Sequence, residues 1–444
     1  MLYERHYTGL APEYEHKPNE RSVYPDAVST AAVILAGGRG TRSADPRIPK
    51  IAQTVGGQPL MQWHLDLISQ SDIHDVLVVT GHLGDQVAQL VEDSDAHGLE
   101  VRIIHEAEQR GTVPAVQLAA THTESDGLLV ILGDVWASFP IDAFLRSWRE
   151  SDKNVAAAVH PSLHPTDSDA VIPQPDGSVS VISKVDRGTV TLSTRNMSAA
   201  GVFALTRSAL AEAEDTSDIG SELIATAASH DDLCAVVSSH YFKDTGTPIR
   251  LGSAQEDWES GAFHRRGSLT PRPALFLDRD GVINPALPEV YTPDALALLP
   301  GVAEGIAQAN ALGVPVLVAT NQPGLAKGLM TEQAHEEIRA RLDELLIDQG
   351  AFIDDYAYCP HHPESGFAGE VDSLKISCHC RKPAPGLILD LAKRHTIDRA
   401  RSVMVGDSDR DEGAAQAAGM RFERVLPDEP AAQAIQAALR VLQC

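Results

Sequence analysis

The chain has 444 residues, of which 43% are hydrophobic and 22% charged, a composition that fits a globular protein of two or three domains. Its formal net charge of −26 argues against nucleic acid or an anionic membrane as a partner, because both attract a basic surface. No stretch approaches the roughly 20 apolar residues of a membrane span, and five cysteines are an odd count that argues against a disulfide framework. We therefore expect a cytoplasmic protein.

The N-terminal region begins with a polar stretch. Residues 1–29 carry scattered charges without an apolar core, and we expect an arm there. Between residues 30 and 258, amphipathic segments alternate with short apolar runs at 31–36, 75–80, 128–132 and 154–159. The runs predict buried strands and the segments predict helices. This alternation is typical of an α/β domain with a mostly parallel sheet covered on both faces.

A glycine-rich loop follows the first of these strands. It contains, in order, Gly37, Gly38, Gly40, Thr41, Arg42 and Lys50. Glycines allow backbone amides to approach phosphate oxygens closely. The loop is not a dinucleotide fingerprint, because Ser43 stands where the third glycine belongs, and it is not a P-loop, because no Gly-Lys-Ser/Thr follows. On these residues alone, a phosphate-binding loop and a plain glycine-rich turn both stay open.

The stretch LAGGRGTR, with a Pro-Lys pair after it, resembles the signature of the sugar-1-phosphate nucleotidyltransferases. The resemblance covers about residues 31–257 and implies a Rossmann-like nucleotidyltransferase sheet. It implies that the glycine loop, Arg42 and Lys50 hold the triphosphate and the sugar phosphate. Ile51 replaces the usual proline and the usual leucine after Arg42 is missing, so a weakened or lost activity stays open.

The same resemblance implies further site residues along this half. Gln109, Arg110, Gly111 and Thr112 together match a base-recognition turn, and Lys184 matches the sugar-phosphate lysine. Asp134 and Asp244 match the two Mg²⁺ ligands. Two carboxylates on one Mg²⁺ suit nucleotidyl transfer, because the metal offsets the charge on the leaving pyrophosphate.

Residues 259–273 interrupt the alternation. They contain two glycines and two prolines without apolar periodicity, which predicts a linker. Beyond it, strand-length apolar runs resume at 274–277, 314–319 and 402–405. The sequence therefore predicts a second α/β domain in tandem with the first, over residues 274–444.

Two aspartates follow directly on the first strand of this second domain. In an open α/β sheet, reactive groups collect at the carboxyl ends of strands, and Asp278 and Asp280 are spaced to face one crevice. They suit a phosphoaspartyl mechanism, in which Asp278 attacks phosphorus and Asp280 protonates the leaving oxygen and later activates water. A calcium loop is excluded, because Gly281 comes too early. A solvated acidic turn stays open.

Two later segments supply polar groups that can bind phosphate. The run at 314–319 ends in Thr320 and Asn321, whose hydroxyl and amide can hold phosphate oxygens. Arg381 and Lys382 lie together in a loop, where Lys382 can balance the phosphate and the aspartates. Taken alone, Thr320 and Asn321 are equally explained as a polar strand end. Arg381 and Lys382 are equally explained as a surface basic pair.

The last motif follows the run at 402–405. Asp407 stands at that strand end as an oxygen ligand for Mg²⁺, beside Asp278 and Asp280, and Asp411 lies one helical turn further. The ordered set of strand–DxD, strand–TN, lysine and strand–GDxxxD resembles the four motifs of the haloacid dehalogenase-like superfamily. This resemblance implies a Rossmannoid sheet and a Mg²⁺-dependent phosphatase.

Three of the five cysteines fall in one short window. Cys359 and His361 form a C-x-H pair, and Cys378 and Cys380 form a C-x-C pair. Two such clamps provide the four ligands of a closed tetrahedral Zn²⁺ site, with His362 and His379 as the less suitable histidines. Three reduced cysteines that lie close by chance are the alternative. We expect a structural zinc loop that shapes the segment before Arg381.

The stretches FLDRDGVIN, VATNQPGLAKG, YCPHHPE, CHCRKPAPG and MVGDSDRDEGAAQAAG narrow the resemblance. Together they are similar to the D-glycero-D-manno-heptose 1,7-bisphosphate phosphatases over residues 274 to about 425. Histidinol-phosphate phosphatases share the zinc-loop design, so the substrate stays open. One departure is Ser408, where the family usually has lysine.

The two resemblances imply consecutive steps of one route. The guanylyltransferase of GDP-heptose synthesis is similar to the first half, so we expect removal of the 7-phosphate and then transfer of a nucleotide, GMP, to heptose 1-phosphate. Sugar phosphates and nucleoside triphosphates are the expected partners, and Mg²⁺ and Zn²⁺ the expected cofactors. Two alternatives stay open, namely a phosphatase whose N-terminal half only binds or regulates, and a histidinol-phosphate phosphatase fused to an unrelated transferase. The nucleotide base, the anomer and the oligomeric state also stay open.

Overall fold

The computed structural model describes residues 29–38, 45–165, 168–174, 177–182, 195–287 and 289–443. Most of the predicted arm lies outside the described residues, as do four predicted ligand-binding residues, namely Gly40, Thr41, Arg42 and Lys184. All other predicted site residues lie within them.

The N-terminal half combines one large sheet with flanking helices. Its described strands are β1 (Thr30–Leu35), β2 (Thr54–Val55), β3 (Gln58–Pro59), β4 (Asp75–Thr80), β5 (Glu100–His105), β6 (Gly127–Leu132), β7 (Val135–Ser138), β8 (Val155–His160), β9 (Ala170–Pro173), β10 (Val179–Ile182), β11 (Ser198–Thr206), β12 (Leu233–Val237) and β13 (Tyr241–Asp244). Its described helices are α1 (Leu60–Ile68), α2 (Gly84–Glu92), α3 (Thr112–Ala120), α4 (Ile141–Glu150), α5 (Arg207–Ala211), α6 (Ile224–Ser229), α7 (Pro248–Glu259) and α8 (Ala262–Arg266). Single 3₁₀ and π-helical turns lie at Lys50–Ala52 and Ile219–Leu223.

The large sheet has nine strands. They run in the order β10-β9-β11-β6-β1-β4-β5, with β8 paired to β11 and β12. Successive residues of β1 belong to opposite cores, Ala31 and Val33 to one and Ala32 and Ile34 to the other. A strand buried on both faces has a continuous apolar run, which is why it was visible in the sequence. Because β6, β1, β4 and β5 are parallel, their carboxyl ends share one edge.

The C-terminal half is built on a fully parallel sheet of five strands in the order β16-β15-β14-β17-β18. The strands are β14 (Leu275–Leu277), β15 (Val316–Asn321), β16 (Asp355–Cys359), β17 (Val403–Gly406) and β18 (Arg421–Arg424). The described helices are α9 (Val302–Ala311), α10 (Glu332–Ile347), α11 (Gly386–Arg394), α12 (Asp409–Ala417) and α13 (Ala431–Leu442), and 3₁₀ turns lie at Pro293–Ala295, Asp372–Leu374 and Arg399–Arg401. The predicted α/β class is confirmed, and the seven predicted strands appear with ends shifted by at most two residues.

The predicted linker is partly a packed helix. Within residues 259–273, α8 places Phe263 against Trp136, with parallel rings 4.0 Å apart at their centroids. Phe263 therefore belongs to the core of the N-terminal half. The local sequence gave no sign of this, because α8 has too few residues to show helical periodicity.

Buried ion pairs join the two halves. Arg266, from the same helix α8, pairs with Asp354, which is fully buried. Arg195 Nε lies 3.0 Å from Asp343 Oδ2, and both side chains are less than a tenth exposed. Buried pairs of this kind hold two surfaces in one arrangement, because either partner alone would be an uncompensated charge.

The seam between the halves lies at the amino ends of the C-terminal strands. Asp354 immediately precedes β16, and Arg265 donates to the carbonyl of Leu312, ahead of β15. In a parallel sheet the carboxyl ends occupy the opposite edge. Residues that follow β14 and β17 therefore lie at the edge away from the seam. Within the described residues, no helix is both long enough and apolar enough to cross a membrane.

The Arg266–Asp354 pair should dominate the stability of the seam. We expect Asp354→Ala to lower the free energy of unfolding by about 3–5 kcal/mol, because it leaves a buried guanidinium unpaired. Denaturant unfolding measures the change. Glu344→Ala, which breaks a surface pair with Arg341, is the control and should cost no more than about 1 kcal/mol. Equal, small losses for both variants would contradict a stabilising role for the buried pair.

Candidate active sites

Three neighbouring strand ends bring the phosphatase motifs together. Asp278 follows β14, Thr320 lies at the end of β15, and Asp407 follows β17. β14 pairs with both β15 and β17, so these side chains project from one edge of the sheet. Thr320 is buried and its hydroxyl hydrogen-bonds the Asp278 carboxylate.

Carboxylates are concentrated at this edge. Oxygens of Asp278, Asp407 and Asp411 all lie within 4.8 Å of one another. The loop that carries Asp280 approaches Asp407 so closely that a Cβ at Gly281, whose φ is +88°, would overlap the Asp407 carboxylate. Clustered hard oxygen donors fit a divalent cation such as Mg²⁺.

Lys382 is buried among these carboxylates. Its Nζ lies 3.0 Å from Asp278 Oδ1 and 2.5 Å from Asp411 Oδ1. Burial raises the pKa of Asp278 to about 6, although the Lys382 ammonium acts in the opposite direction. Burial acts to lower the pKa of Lys382, but the two carboxylates outweigh it and hold that pKa above its usual value. The ammonium of Lys382 thus favours the ionised form of Asp278, against the effect of burial.

Asn321 anchors the backbone of Lys382. Its Nδ2 donates to the Lys382 carbonyl at 3.0 Å, and its Oδ1 accepts from the Lys382 amide at 3.0 Å. Both ends of the amide are thus used to hold the lysine loop. Its predicted contact with phosphate stays a prediction, and its observed contact is with Lys382.

Asp280 accepts hydrogen bonds from a set of donors that the sequence did not reveal. Arg279 donates to both of its carboxylate oxygens, with Nη2 at 2.7 and 2.8 Å. Asn284 Nδ2 donates to Oδ1 at 2.9 Å and Gln322 Nε2 to Oδ2 at 2.9 Å. The side chain is fixed in orientation, whereas its predicted role as a metal ligand stays a prediction.

Ser408, which stands where the phosphatase family usually has lysine, has a structural role. It caps α12, with its Oγ donating to Asp411 Oδ2 at 2.6 Å and its amide to the same oxygen at 3.1 Å. This capping box fixes Asp411 beside Lys382. Ser408 therefore supports the site, although it departs from the family pattern.

The four predicted zinc ligands meet in one place. The sulfurs of Cys359, Cys378 and Cys380 lie 3.2–3.5 Å apart, and His361 Nδ1 lies 3.6 and 3.4 Å from Cys359 and Cys380. Ligands 2.0–2.3 Å from a tetrahedral Zn²⁺ would be about 3.4–3.8 Å apart. A hydrogen bond from Cys380 is the largest influence that lowers the pKa of Cys359, to about 4, which favours the thiolate that binds metal. The cluster fits a metal ion of this size.

The neighbouring side chains connect this cluster to the phosphatase site. The ring of His362 packs edge-on against Phe367, at 5.5 Å between centroids, instead of joining the sulfurs. Arg381 Nη1 donates to the His361 carbonyl at 3.0 Å. The residue before Lys382 is therefore tied to the metal loop.

The N-terminal half has its own charged group at a strand end. Lys50 Nζ lies 2.6 Å from Asp134 Oδ2, which follows β6. A Cβ at Gly246 would lie 2.9 Å from both Asp134 Oδ2 and Asp244 Oδ1, and 3.2 Å from Lys50 Nζ. The three predicted charged side chains thus converge on this glycine. Asp244 also pairs with Arg250, which the sequence did not single out.

A cavity of about 390 Å³ extends from this group along the carboxyl edge of the large sheet. Its walls include Gly37, Gly38, Gly111 and Thr112 from the predicted loops, and also Glu106 and Asp218, which the sequence did not indicate. Gly111 adopts a φ of +126°, and a Cβ there would overlap the Ser217 carbonyl, so only glycine fits. The cavity is bordered by the groups expected to bind a nucleotide and a metal.

Known families match both halves. Residues 32–175 match the model of the MobA-like NTP transferase domain, and residues 379–439 match the HAD-hydrolase-like model. A D-glycero-beta-D-manno-heptose-1,7-bisphosphate 7-phosphatase from Rhodopseudomonas palustris is 48% identical over 163 residues, which are 35% of this chain and 86% of that protein.

The chain belongs to this 7-phosphatase family. The 7-phosphatase likeness resides in the C-terminal half, and the transferase-like domain precedes it. The chain is thus a phosphatase and a nucleotidyltransferase in one polypeptide.

Two solved structures resemble parts of this 7-phosphatase family member. The D,D-heptose 1,7-bisphosphate phosphatase from B. bronchiseptica, complexed with magnesium and phosphate, is 33% identical and covers 38% of this chain and 98% of its own, with a TM-score of 0.33. HddC from Yersinia pseudotuberculosis, complexed with GMP-PN, is 21% identical and covers 51% of this chain and 99% of its own, with a TM-score of 0.43.

Proposed function

We propose that this chain carries out two consecutive steps toward a nucleotide-activated heptose. The C-terminal half removes the 7-phosphate of D-glycero-D-manno-heptose 1,7-bisphosphate, and the N-terminal half transfers a guanylyl group to the resulting heptose 1-phosphate. The observation that carries the proposal is the group of Asp278, Asp407, Asp411 and Lys382 at one sheet edge, in a chain of the 7-phosphatase family.

The phosphatase step begins at Asp278. One of its carboxylate oxygens attacks phosphorus, the bond from phosphorus to the sugar oxygen breaks, and Asp280 gives that oxygen a proton. Water then attacks the acyl phosphate, its proton passes to Asp280, and phosphate leaves with Asp278 restored. Lys382 offsets the negative charge on the phosphoryl oxygens throughout. A Mg²⁺ ion held by Asp278 and Asp407 would supply further charge neutralisation.

Zn²⁺ would hold the loop between Cys359 and Cys380 without taking part in the reaction. Four protein ligands close a tetrahedral site and leave no position for substrate. The loop ends directly before Arg381 and Lys382, so a metal here would fix where the catalytic lysine enters the site.

The nucleotidyl transfer step faces a problem of charge. A nucleoside triphosphate and a sugar phosphate are both anions, and they must come together at the cavity beside Asp134. Lys50 and the backbone amides of the loop at Gly37 and Gly38 would reduce their repulsion. Mg²⁺ between Asp134 and Asp244 would offset the charge on the departing pyrophosphate.

The nucleophile assignment is tested by Asp278→Asn. The amide keeps the shape of the carboxylate but cannot form the acyl phosphate, so we expect phosphate release from heptose 1,7-bisphosphate to fall at least about a thousandfold. Asp409→Asn, at an almost fully exposed aspartate nearby, is the control and should retain activity. Each anomer of the bisphosphate should be assayed beside histidinol phosphate. A variant that kept more than a few per cent of turnover would rule out Asp278, and a preference for histidinol phosphate would rule out the sugar substrate.

Elemental analysis tests the zinc site. We expect about one Zn²⁺ per chain, lost in Cys378→Ser and retained in Cys234→Ser, because Cys234 lies outside the cluster. Loss of the metal should also lower the thermal stability of the C-terminal half. A zinc-free preparation with full phosphatase activity would contradict the assignment.

Asp134→Ala separates the two activities. We expect it to stop pyrophosphate release, since it removes a metal ligand from the nucleotide cavity, and to leave phosphate release unchanged. Asp278→Asn should show the reverse, with pyrophosphate release intact. The two products are measured separately with heptose 1-phosphate and GTP, and with the bisphosphate. No pyrophosphate from the wild type with any common nucleoside triphosphate would mean that the N-terminal half is only a binding module.

A further inference from the structure

The side chain of Arg279 binds both carboxylate oxygens of its neighbour Asp280. Its Nε donates to Asp280 Oδ1 at 3.0 Å, and its Nη2 donates to Oδ1 at 2.7 Å and to Oδ2 at 2.8 Å. Three hydrogen bonds from one planar fork fix the plane of a carboxylate as well as its position, which a point charge such as lysine does not. Arg279 therefore restricts Asp280 more than Asn284 or Gln322, which donate one bond each.

Arg279 does not reach the space in which a substrate would lie. Its side chain is only 1% exposed, whereas that of Asp280 is 29% exposed. The guanidinium thus approaches Asp280 from the interior, and part of the carboxylate remains accessible from solvent. This arrangement is that of a residue that acts on the reaction through another residue.

The interior of the C-terminal half surrounds the Arg279 guanidinium. Burial raises the pKa of the Tyr356 phenol and Arg279 acts in the opposite direction, so the two groups are neighbours. The Tyr356 ring also lies 4.8 Å from Arg339 Cζ, and Arg339 Nη1 pairs with Glu336 Oε1 at 2.7 Å. Each of the two buried guanidiniums thus has its own carboxylate. Arg279 would be an uncompensated buried charge if it left Asp280, which favours the observed pairing.

A tight turn makes the contact between these adjacent residues possible. Successive side chains of a strand point to opposite faces, so they meet only where the chain turns. Here the Arg279 carbonyl accepts from the amides of Ile283 and Asn284 at 2.8 and 3.1 Å, and Gly281 has a φ of +88°. The backbone therefore brings the guanidinium and the carboxylate to the same side.

We propose that Arg279 is a positioning residue for the phosphatase reaction, which holds the Asp280 carboxyl group in the orientation that both proton transfers require. This rests on the proposed role of Asp280 and adds the residue on which that role depends. Proton transfer needs donor and acceptor within hydrogen-bond reach, and a carboxyl group that rotates freely is in that geometry for only part of the time.

A double-mutant cycle separates positioning from a general structural role. The variants are Arg279→Met, Asp280→Asn and the two combined, with Arg341→Met as the control, because Arg341 forms a surface pair with Glu344. Arg279→Lys, alone and combined with Asp280→Asn, keeps the charge without the fork and decides the question if Arg279→Met does not fold. Phosphate release is measured with heptose 1,7-bisphosphate and with p-nitrophenyl phosphate, and thermal unfolding shows which variants are folded.

We expect Arg279→Met to lower kcat/KM for the bisphosphate by about 10- to 100-fold. With p-nitrophenyl phosphate the loss should be no more than about threefold, because p-nitrophenolate leaves without a proton. In the Asp280→Asn background, Arg279→Met should cost no more than about twofold, since the effects of residues that act as a unit do not add. Arg279→Lys should lie between wild type and Arg279→Met, and Arg341→Met should behave as wild type.

The outcomes separate this inference from the proposed function. An impaired Asp280→Asn beside an unimpaired Arg279→Met would overturn the role of Arg279 and leave that of Asp280 standing. Equal losses with both substrates, or losses that add in the double variant, would indicate a structural effect and also overturn the inference. If Asp280→Asn keeps the kcat/KM of the wild type for the bisphosphate, the role of Asp280 fails, and the inference fails with it.

A different substrate would not prevent the test. If the wild type prefers histidinol phosphate, the proposed sugar substrate fails, and the same comparison is made with that ester, whose leaving group is also an alkoxide. A smaller loss with p-nitrophenyl phosphate than with histidinol phosphate would then still support the role of Arg279, and equal losses would overturn it.

Discussion

A buried lysine among three carboxylates is the interaction on which the C-terminal half depends. Oxygens of Asp278, Asp407 and Asp411 within 4.8 Å repel one another at a partly buried position, and such charges are costly unless they are paired. Lys382 offsets one of the three formal charges and touches two of the carboxylates. The remaining carboxylate charge is what the proposed Mg²⁺ would offset.

The position of Lys382 is determined from two directions. Asn321, at the end of β15, holds its backbone amide and carbonyl, and thereby connects the lysine to the sheet edge that carries Asp278. From the other side, the loop with the cysteine and histidine cluster ends at Cys380, two residues before Lys382. That loop packs tightly on the segment after β15, because a Cβ at Gly328 would overlap the carbonyl of Gly369. A metal in the cluster would act on catalysis by limiting where a single ammonium can lie.

The sequence predicted those parts of the molecule that have a local signal. Strands buried on both faces produce apolar runs. Residues placed directly after such runs, such as Asp278 and Asp407, lie at the carboxyl edge of a parallel sheet whatever the order of its strands. Other parts depend on which distant segments pair. The Arg266–Asp354 pair and the donors from Gln322 and Asn284 to Asp280 required knowledge of strand order and loop path. Glu106 was missed because one acidic residue after a strand is common, and only the cavity reveals which way it faces.

The arrangement of the halves explains how two chemistries coexist in one chain. The seam contacts reach the amino edge of the C-terminal sheet, through Asp354 before β16 and Leu312 before β15, whereas Asp278 follows β14 at the other edge. The clustered residues Asp278, Asp407, Asp411 and Lys382 all belong to the C-terminal half. Lys50, Asp134 and Asp244 likewise converge on Gly246 within the N-terminal half. Each group of carboxylates has its own lysine, so each half supplies the counter-charge of its own site.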